Sequence, residues 1–305
     1  MSLAGKSRRF ARLEHIQRLD PERDYQKIYW LVTAYEFPWD YWQSLSLAFF
    51  RTFAVPSISG LLDQTGEIVR HTQKRADDTL LIMYEIGRRG LETPEGRAYL
   101  RRMNEMHRRY SISNDDSLYI IAAFIIIPIQ WINQFGWRQL TWHEQQAVTN
   151  YGKRLAQLMG IKHIPETFAD FAQFAQSYEQ QRFTLTASSQ RLAEATMEIT
   201  ADMLPRPLRR PLRPVMRRFS LAVLDDDLLH AVGLPIPPDR DRRIVTSLLR
   251  LRGRILRLLP PRPDDRPHRL ALATYPHGYQ IGDVGPAWMQ TSTAAHNTES
   301  RGNGS

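Results

Sequence analysis

The 305-residue chain contains no cysteine. That excludes disulfides, cysteine-ligated zinc, iron–sulfur clusters, thiolate-ligated haem, the covalent C-x-x-C-H haem attachment and any cysteine nucleophile. A bound metal must then take nitrogen or oxygen donors from the protein. Strand-like alternation is scarce, apart from a short extended piece near Leu270 to Ala273. The G-x-x-x-x-G-K-[ST] loop, the G-x-G-x-x-G turn, the G-x-S-x-G elbow and the H-E-x-x-H pair are all missing, which argues against the common nucleotide, hydrolase and zincin chemistries. Nor does the sequence hold the Glu-x-x-His pairs of a carboxylate-bridged di-iron centre. The first twenty residues are basic but carry no apolar run of the secretory kind, so the expected compartment is the cytosol or a membrane face reached from it.

What is present is ordinary for a globular chain, at 42% hydrophobic and 24% charged residues. The charge is placed unevenly. Residues 206 to 269 hold 16 arginines, no lysine and 7 acidic residues, whereas the remainder carries 25 basic and 25 acidic residues. An arginine-rich module has thus been added to a neutral body.

Helix signals punctuate that body. Asp20-Pro21-Glu22 and Thr93-Pro94-Glu95 read as helix starts, and Thr141 with Glu144 fits a capping box. Gly90, Gly136 and Gly160 stand where helices would stop, and Pro38, Pro56 and Pro165 where they would begin. The expectation is an all-α fold, a multi-helix single domain of about seven to ten helices. The most apolar stretch, 118 to 132, is fifteen residues, about 22 Å of helix against a hydrocarbon core of ~30 Å, and includes Pro128 and Gln130. A buried helix kinked near Pro128 and capped by Asn114, Asp115 and Asp116 is the expected reading, ahead of a membrane span. In the module, Ile244, Leu248, Leu251, Ile255 and Leu258 keep helical spacing while Arg243, Arg250, Arg254 and Arg257 lie on other faces. Such a helix suits docking on the body with solvated arginines or contact with an anionic membrane surface. Nucleic acid is the least favoured partner. Residues 290 to 305 are polar and Gly/Ser-rich and are expected to be disordered.

Two helices place polar side chains on apolar faces. Arg75, Thr79, Ile82 and Ile86 fall in one narrow sector. That is compatible with a snorkelling arginine or with a functional arginine–hydroxyl pair. On the next helix His107 follows Leu100 and Met103 on the buried side, flanked by Arg97, Arg101 and Arg108. Spacing alone allows a hydrogen-bonded core histidine or an imidazole facing a haem whose propionates meet those cations.

The order Arg-Thr-Phe-Ala-Val-Pro-Ser-Ile-Ser (51 to 59), Lys-Arg-Ala-Asp-Asp-Thr (74 to 79) and Arg-Met-Asn-Glu-Met-His-Arg-Arg-Tyr-Ser-Ile-Ser-Asn-Asp-Asp (102 to 116) resembles the MpaB and rubber-oxygenase family. Gly-Trp-Arg (136 to 138), Met-Gly-Ile (159 to 161) and Pro-His-Gly-Tyr (276 to 279) extend the resemblance, which covers roughly residues 18 to 286. It implies a globin-like core binding one haem b, with O2 as co-substrate. The family's latex-clearing proteins cleave polyisoprene double bonds, and a fungal member, anchored by a membrane span, shortens a farnesyl side chain. Position by position, it implies His107 as the proximal iron ligand and Arg75 and Thr79 as the distal, catalytic polar pair. Arg75, Asp78 and Arg108 complete the cofactor-binding group with His107. Arg75 would stabilise negative charge on bound oxygen or hold a propionate. At Asp78 the sequence departs from the latex-clearing proteins, which carry a lysine able to occupy the sixth iron site. An aspartate cannot act as that latch, which weakens polyisoprene as the substrate.

The reading expected from residues and resemblance together is a haem b-dependent oxygenase oxidising or cleaving C=C bonds of an apolar, isoprenoid-like substrate. The alternatives are a haem sensor or carrier without oxygenase activity, and a membrane-surface interaction protein using the arginine module. The expected segments are a basic N-terminal tail (1–17), a helical haem-binding body (18–205), an arginine-rich helical module packed on it (206–289) and the disordered tail (290–305). The location expected is cytoplasmic and peripheral to a membrane.

Overall fold

The computed structural model describes residues 3–200, 206–270, 272–286 and 289. Among them are fourteen α-helices and no strand: α1 Leu3–Gln17, α2 Tyr25–Leu31, α3 Pro38–Arg51, α4 Pro56–Thr65, α5 Glu67–Arg70, α6 Thr72–Arg89, α7 Pro94–Arg108, α8 Asn114–Phe135, α9 Trp142–Leu158, α10 Phe168–Arg182, α11 Ala187–Ile199, α12 Arg206–Ala222, α13 Asp226–Ala231 and α14 Asp239–Leu258. The all-α expectation holds. The helix number exceeds seven to ten because Gly66 and His71 break one stretch into α4, α5 and α6, and because the short α2 and α13 fill connections. The described residues near Leu270 form no strand, and the tail from 290 lies outside the described residues.

Local chemistry explains most boundaries. The Thr93 hydroxyl accepts from the Gly96 amide at 3.1 Å to start α7, and Thr141 and Glu144 exchange both capping-box bonds at α9. Gly90 and Gly136 close α6 and α8, and Pro38 and Pro56 open α3 and α4. Three expected signals act differently. Asp20 accepts from the Glu22 amide at 2.8 Å and makes a turn, so α2 begins only at Tyr25. Thr167, not Pro165, marks the start of α10. Ser113 caps α8 through the Asp116 amide, so Asn114 to Asp116 lie inside its first turn, where the acids meet the positive end of the helix dipole.

The core is built round α8, against which α3, α9, α10 and α14 pack. At 22 residues, about 33 Å, α8 is long and apolar enough to cross a membrane. The helix is longer than the fifteen expected residues because it runs through Pro128 and on to Phe135. Its packing makes it a central core helix all the same, with 67% of its most apolar window buried.

Residues 3–17, expected as a tail, form α1, whose Ile16 is fully buried. The Arg9 guanidinium lies 3.7 Å from the Trp137 ring centroid. A buried ionic cluster forms beside it. Arg138 donates twice to Glu144 at 2.7 Å and to Glu36 at 3.0 Å, and Arg12 donates to Glu36 at 3.1 Å.

In the arginine-rich segment α14 packs against α8 and α12, with its apolar stripe rotated away from the docked side. Val245, Leu249 and Gly253 face inward, while Ile244, Leu248, Leu251, Ile255 and Leu258 are exposed. Gly253 sets this orientation: a Cβ there would sit 2.7 Å from the Phe135 carbonyl oxygen and 2.8 Å from that of Gly136, so only glycine allows this approach to the end of α8. Arg252 completes the anchor, donating to Asp40 at 2.9 Å and lying over Trp39.

Candidate functional site

α6 and α7 form an antiparallel hairpin through Gly90. A Cβ at Gly96 would fall 1.8 Å from the Gly90 carbonyl oxygen, so α7 starts pressed onto the turn. This closeness brings the first turns of α6 beside the last turn of α7, which places Arg75 near His107.

His107 is half-buried, and burial together with the Arg75 cation pushes its pKa down to about 4. The imidazole is thus neutral near pH 7. Among the described residues its ring makes no hydrogen bond, unlike His143, which bonds the Leu19 carbonyl. Arg75 donates to the Thr79 hydroxyl, and that hydroxyl donates to the Arg75 carbonyl at 2.9 Å. The Phe49 ring centroid is 5.6 Å from the guanidinium. Desolvation lowers the Arg75 pKa, Asp78 and Glu67 act on it only from a distance, and among the described residues it forms no salt bridge.

Asp78 is buried but turned to another partner. It accepts from Lys74 at 2.7 Å, from the Tyr275 hydroxyl at 2.5 Å and from the Gly285 amide at 3.2 Å. Those bonds strap residues 272–286 across α6. Thr274 N donates to Asp77 at 2.8 Å, Tyr279 donates to Glu85 at 2.8 Å, and Arg102 on α7 donates to the Val284 carbonyl at 3.0 Å. Hydrogen bonds from Arg88, Arg89 and Tyr279 outweigh burial and hold the Glu85 carboxyl below its usual range. Arg108 is exposed. Of the five residues expected at the site, the structure gathers Arg75, Thr79 and His107, and commits Asp78 to the strap. Sequence reasoning missed Lys74, Tyr275 and Arg102. The four-residue spacing of Lys74 and Asp78 was a visible signal; their partners some 200 residues on were not.

Replacing Asp78 with alanine is expected to release the strap and to leave Lys74 without its carboxylate. Each such lost acceptor costs about 1–3 kcal/mol. A fall in the urea midpoint at unchanged slope, together with faster proteolysis within 272–286, would register it.

No group of three or more His, Asp or Glu side chains able to hold a metal ion occurs among the described residues. The donor set here is one neutral imidazole beside a half-buried cation with no carboxylate partner among the described residues, which suits a cofactor bringing its own equatorial ligands and its own anionic groups. Two clefts, of about 510 and 340 Å3, lie elsewhere: one is lined by Glu179, Phe183 and His230, the other by Leu47, Trp131 and Arg242. Neither is lined by Arg75, Thr79 or His107.

Fold and side chains together define an all-α protein with a half-buried imidazole next to a cation held by a hydroxyl. Residues 41–257 match the family described as ER-bound oxygenase mpaB/B'/rubber oxygenase, catalytic domain, and the chain belongs to that family of oxygenases. It is 26% identical to the ER-bound oxygenase mpaB' of Penicillium brevicompactum, over 84% of this chain and 75% of that protein. It is also 26% identical to the ER-bound oxygenase mpaB of Penicillium roqueforti, over 65% of this chain and 71% of the relative.

Proposed function

We propose that the protein is a haem b-dependent oxygenase that uses O2 to oxidise or cleave C=C bonds in an apolar, isoprenoid-like small molecule, with the haem held in a globin-like core. The observation that carries this reading is His107: a neutral imidazole with no hydrogen bond among the described residues, beside Arg75, in a chain belonging to an oxygenase family. When bound, haem b would supply oxygen activation, chemistry that no side chain of this cysteine-free chain provides.

The protein's own residues have definable tasks. His107 offers a ring nitrogen to iron, and its pKa near 4 keeps that lone pair free of a proton at neutral pH. Arg75 holds an anion, either a propionate or negative charge developing on the substrate side, because no carboxylate among the described residues neutralises it. Thr79 fixes the guanidinium, since its hydroxyl both accepts from Arg75 and donates to the Arg75 carbonyl. Asp78 acts at a distance, holding the strap rather than the cofactor. A substrate of this kind partitions into lipid, so the reading has the enzyme working at a membrane face.

The test is reconstitution with hemin followed by oxygen-electrode measurements with isoprenoid alkenes. A Soret band and alkene-dependent oxygen uptake, with carbonyl products, are expected. A folded protein that stays colourless with excess hemin rejects the reading, and a Soret band without uptake makes the protein a haem carrier.

A further inference from the structure

α14 divides its surface into three sectors. At about 3.6 residues per turn, Val245, Leu249 and Gly253 form the docked sector, and Ile244, Leu248, Leu251, Ile255 and Leu258 form the next. Arg243, Arg250, Arg254 and Arg257 form the third, all four exposed. The apolar sector is bare, its five side chains 49–63% exposed. Of the twelve large apolar side chains exposed among the described residues, five share this one face of α14, so they form a contiguous stripe and not scattered surface leucines. α12, which packs against α14, also carries exposed Leu208 and Val215.

The two flanks differ in their electrostatics. On the docked side Arg242 pairs with Asp226 and Arg252 with Asp40. On the other, Arg243, Arg250, Arg254 and Arg257 have no carboxylate partner among the described residues, and no acidic residue occurs from Arg242 to Leu258. A second copy of the chain laid on this stripe would bring two rows of arginines together with no acid between them. A phosphate backbone of nucleic acid would leave the isoleucines and leucines without apolar contact. A bilayer with anionic headgroups satisfies both sectors, because apolar side chains enter the acyl boundary while guanidinium groups bind headgroup oxygens. From Ile244 to Leu258 the stripe is about 21 Å long, on one helix anchored by Gly253 and by the Arg252–Asp40 bond, a geometry for lying along a surface.

We propose that the exposed side of α14 is a membrane-docking face that lies flat on a bilayer carrying anionic lipids, with Ile244, Leu248, Leu251, Ile255 and Leu258 inserted at the acyl boundary and Arg243, Arg250, Arg254 and Arg257 bound to headgroups. This assignment stands apart from the oxygenase reading, since it needs no cofactor.

Flotation of the full chain with phosphatidylcholine vesicles, with and without phosphatidylserine, tests it directly. The protein floats with the phosphatidylserine vesicles, less so as salt rises. Leu251→Ser with Ile255→Ser lowers the partition coefficient roughly tenfold or more. Arg250→Gln with Arg254→Gln and Arg257→Gln lowers it on anionic vesicles by about fivefold per arginine. Every changed position is exposed, so an unaltered melting temperature shows that the fold is kept. Absence of flotation, or flotation indifferent to both sets of changes, overturns the assignment. So does a lipid-free dimer that Leu251→Ser with Ile255→Ser converts to monomer.

Discussion

Haem capture is expected to collapse when His107 is replaced by alanine, with hemin affinity falling roughly a hundredfold or more, beyond what loss of a mere supporting hydrogen bond to a metal ligand causes. The expectation follows from how little else at the site can bind iron. Arg75 is a cation, Thr79 is occupied with Arg75, and Asp78 is held by Lys74, Tyr275 and the Gly285 amide. His107 is also half-buried and makes no hydrogen bond among the described residues, so its removal should scarcely disturb the scaffold. Hemin titration followed at the Soret maximum reads the loss, and added imidazole, small enough to enter the vacated space, should restore the band. His268→Ala is the control. Burial and Arg262 also lower the pKa of that ring, but its backbone bonds the Ala34 carbonyl and the Tyr84 hydroxyl, nine residues along α6 from Arg75. An unchanged spectrum in His107→Ala, or loss of the band in His268→Ala instead, would move the ligand elsewhere.

The part of this site visible in the sequence is the part built by local periodicity. Arg75 and Thr79 are four residues apart, so a helix joins them, and the structure shows that pair hydrogen-bonded. Thr93, Gly90 and Gly136 declare their helix ends because caps are made by side chains a few residues from the groups they satisfy. Long-range partners are invisible to such reasoning. Asp78 sits next to Thr79 in sequence, but one step along a helix turns a side chain through more than a quarter of a turn, towards a strap whose position depends on the whole fold. Arg51, in the family-like segment 51 to 59, proves to hold Glu179 through two hydrogen bonds of 2.6 Å. Its partner lies 128 residues away. α14 shows a different limit: its most regular apolar stripe promised the buried side, but close approach at a glycine decided which side docks, and Gly253 lies opposite that stripe.

The same distinction bears on Gly-Trp-Arg at 136 to 138, which carries part of the family resemblance yet lies outside the proposed haem site. Trp137 donates its indole N–H to the Glu36 carbonyl at 3.0 Å, and Arg138 joins Glu36 to Glu144, both of whose side chains are fully buried. Burial opposes the Arg138 charge, but the two carboxylates raise its pKa overall. Arg138→Met should therefore cost about 3–5 kcal/mol, the range for removing one partner from a buried ionic group. Against a total stability of ~5–15 kcal/mol this is enough to unfold much of the protein at physiological temperature. Glu36 keeps Arg12, so the stranded charge is that of Glu144. Adding Glu144→Gln to Arg138→Met removes that charge and should recover part of the loss, although it also weakens the α9 capping box that Glu144 makes with Thr141. Denaturant unfolding of the single and double variants forms a cycle that isolates the pair. Recovery in the double variant identifies an uncompensated carboxylate as the cause. A double variant less stable than the sum of its single changes would instead make packing around Trp137 and Phe37, over whose rings the Arg138 guanidinium lies, the main contribution of this motif.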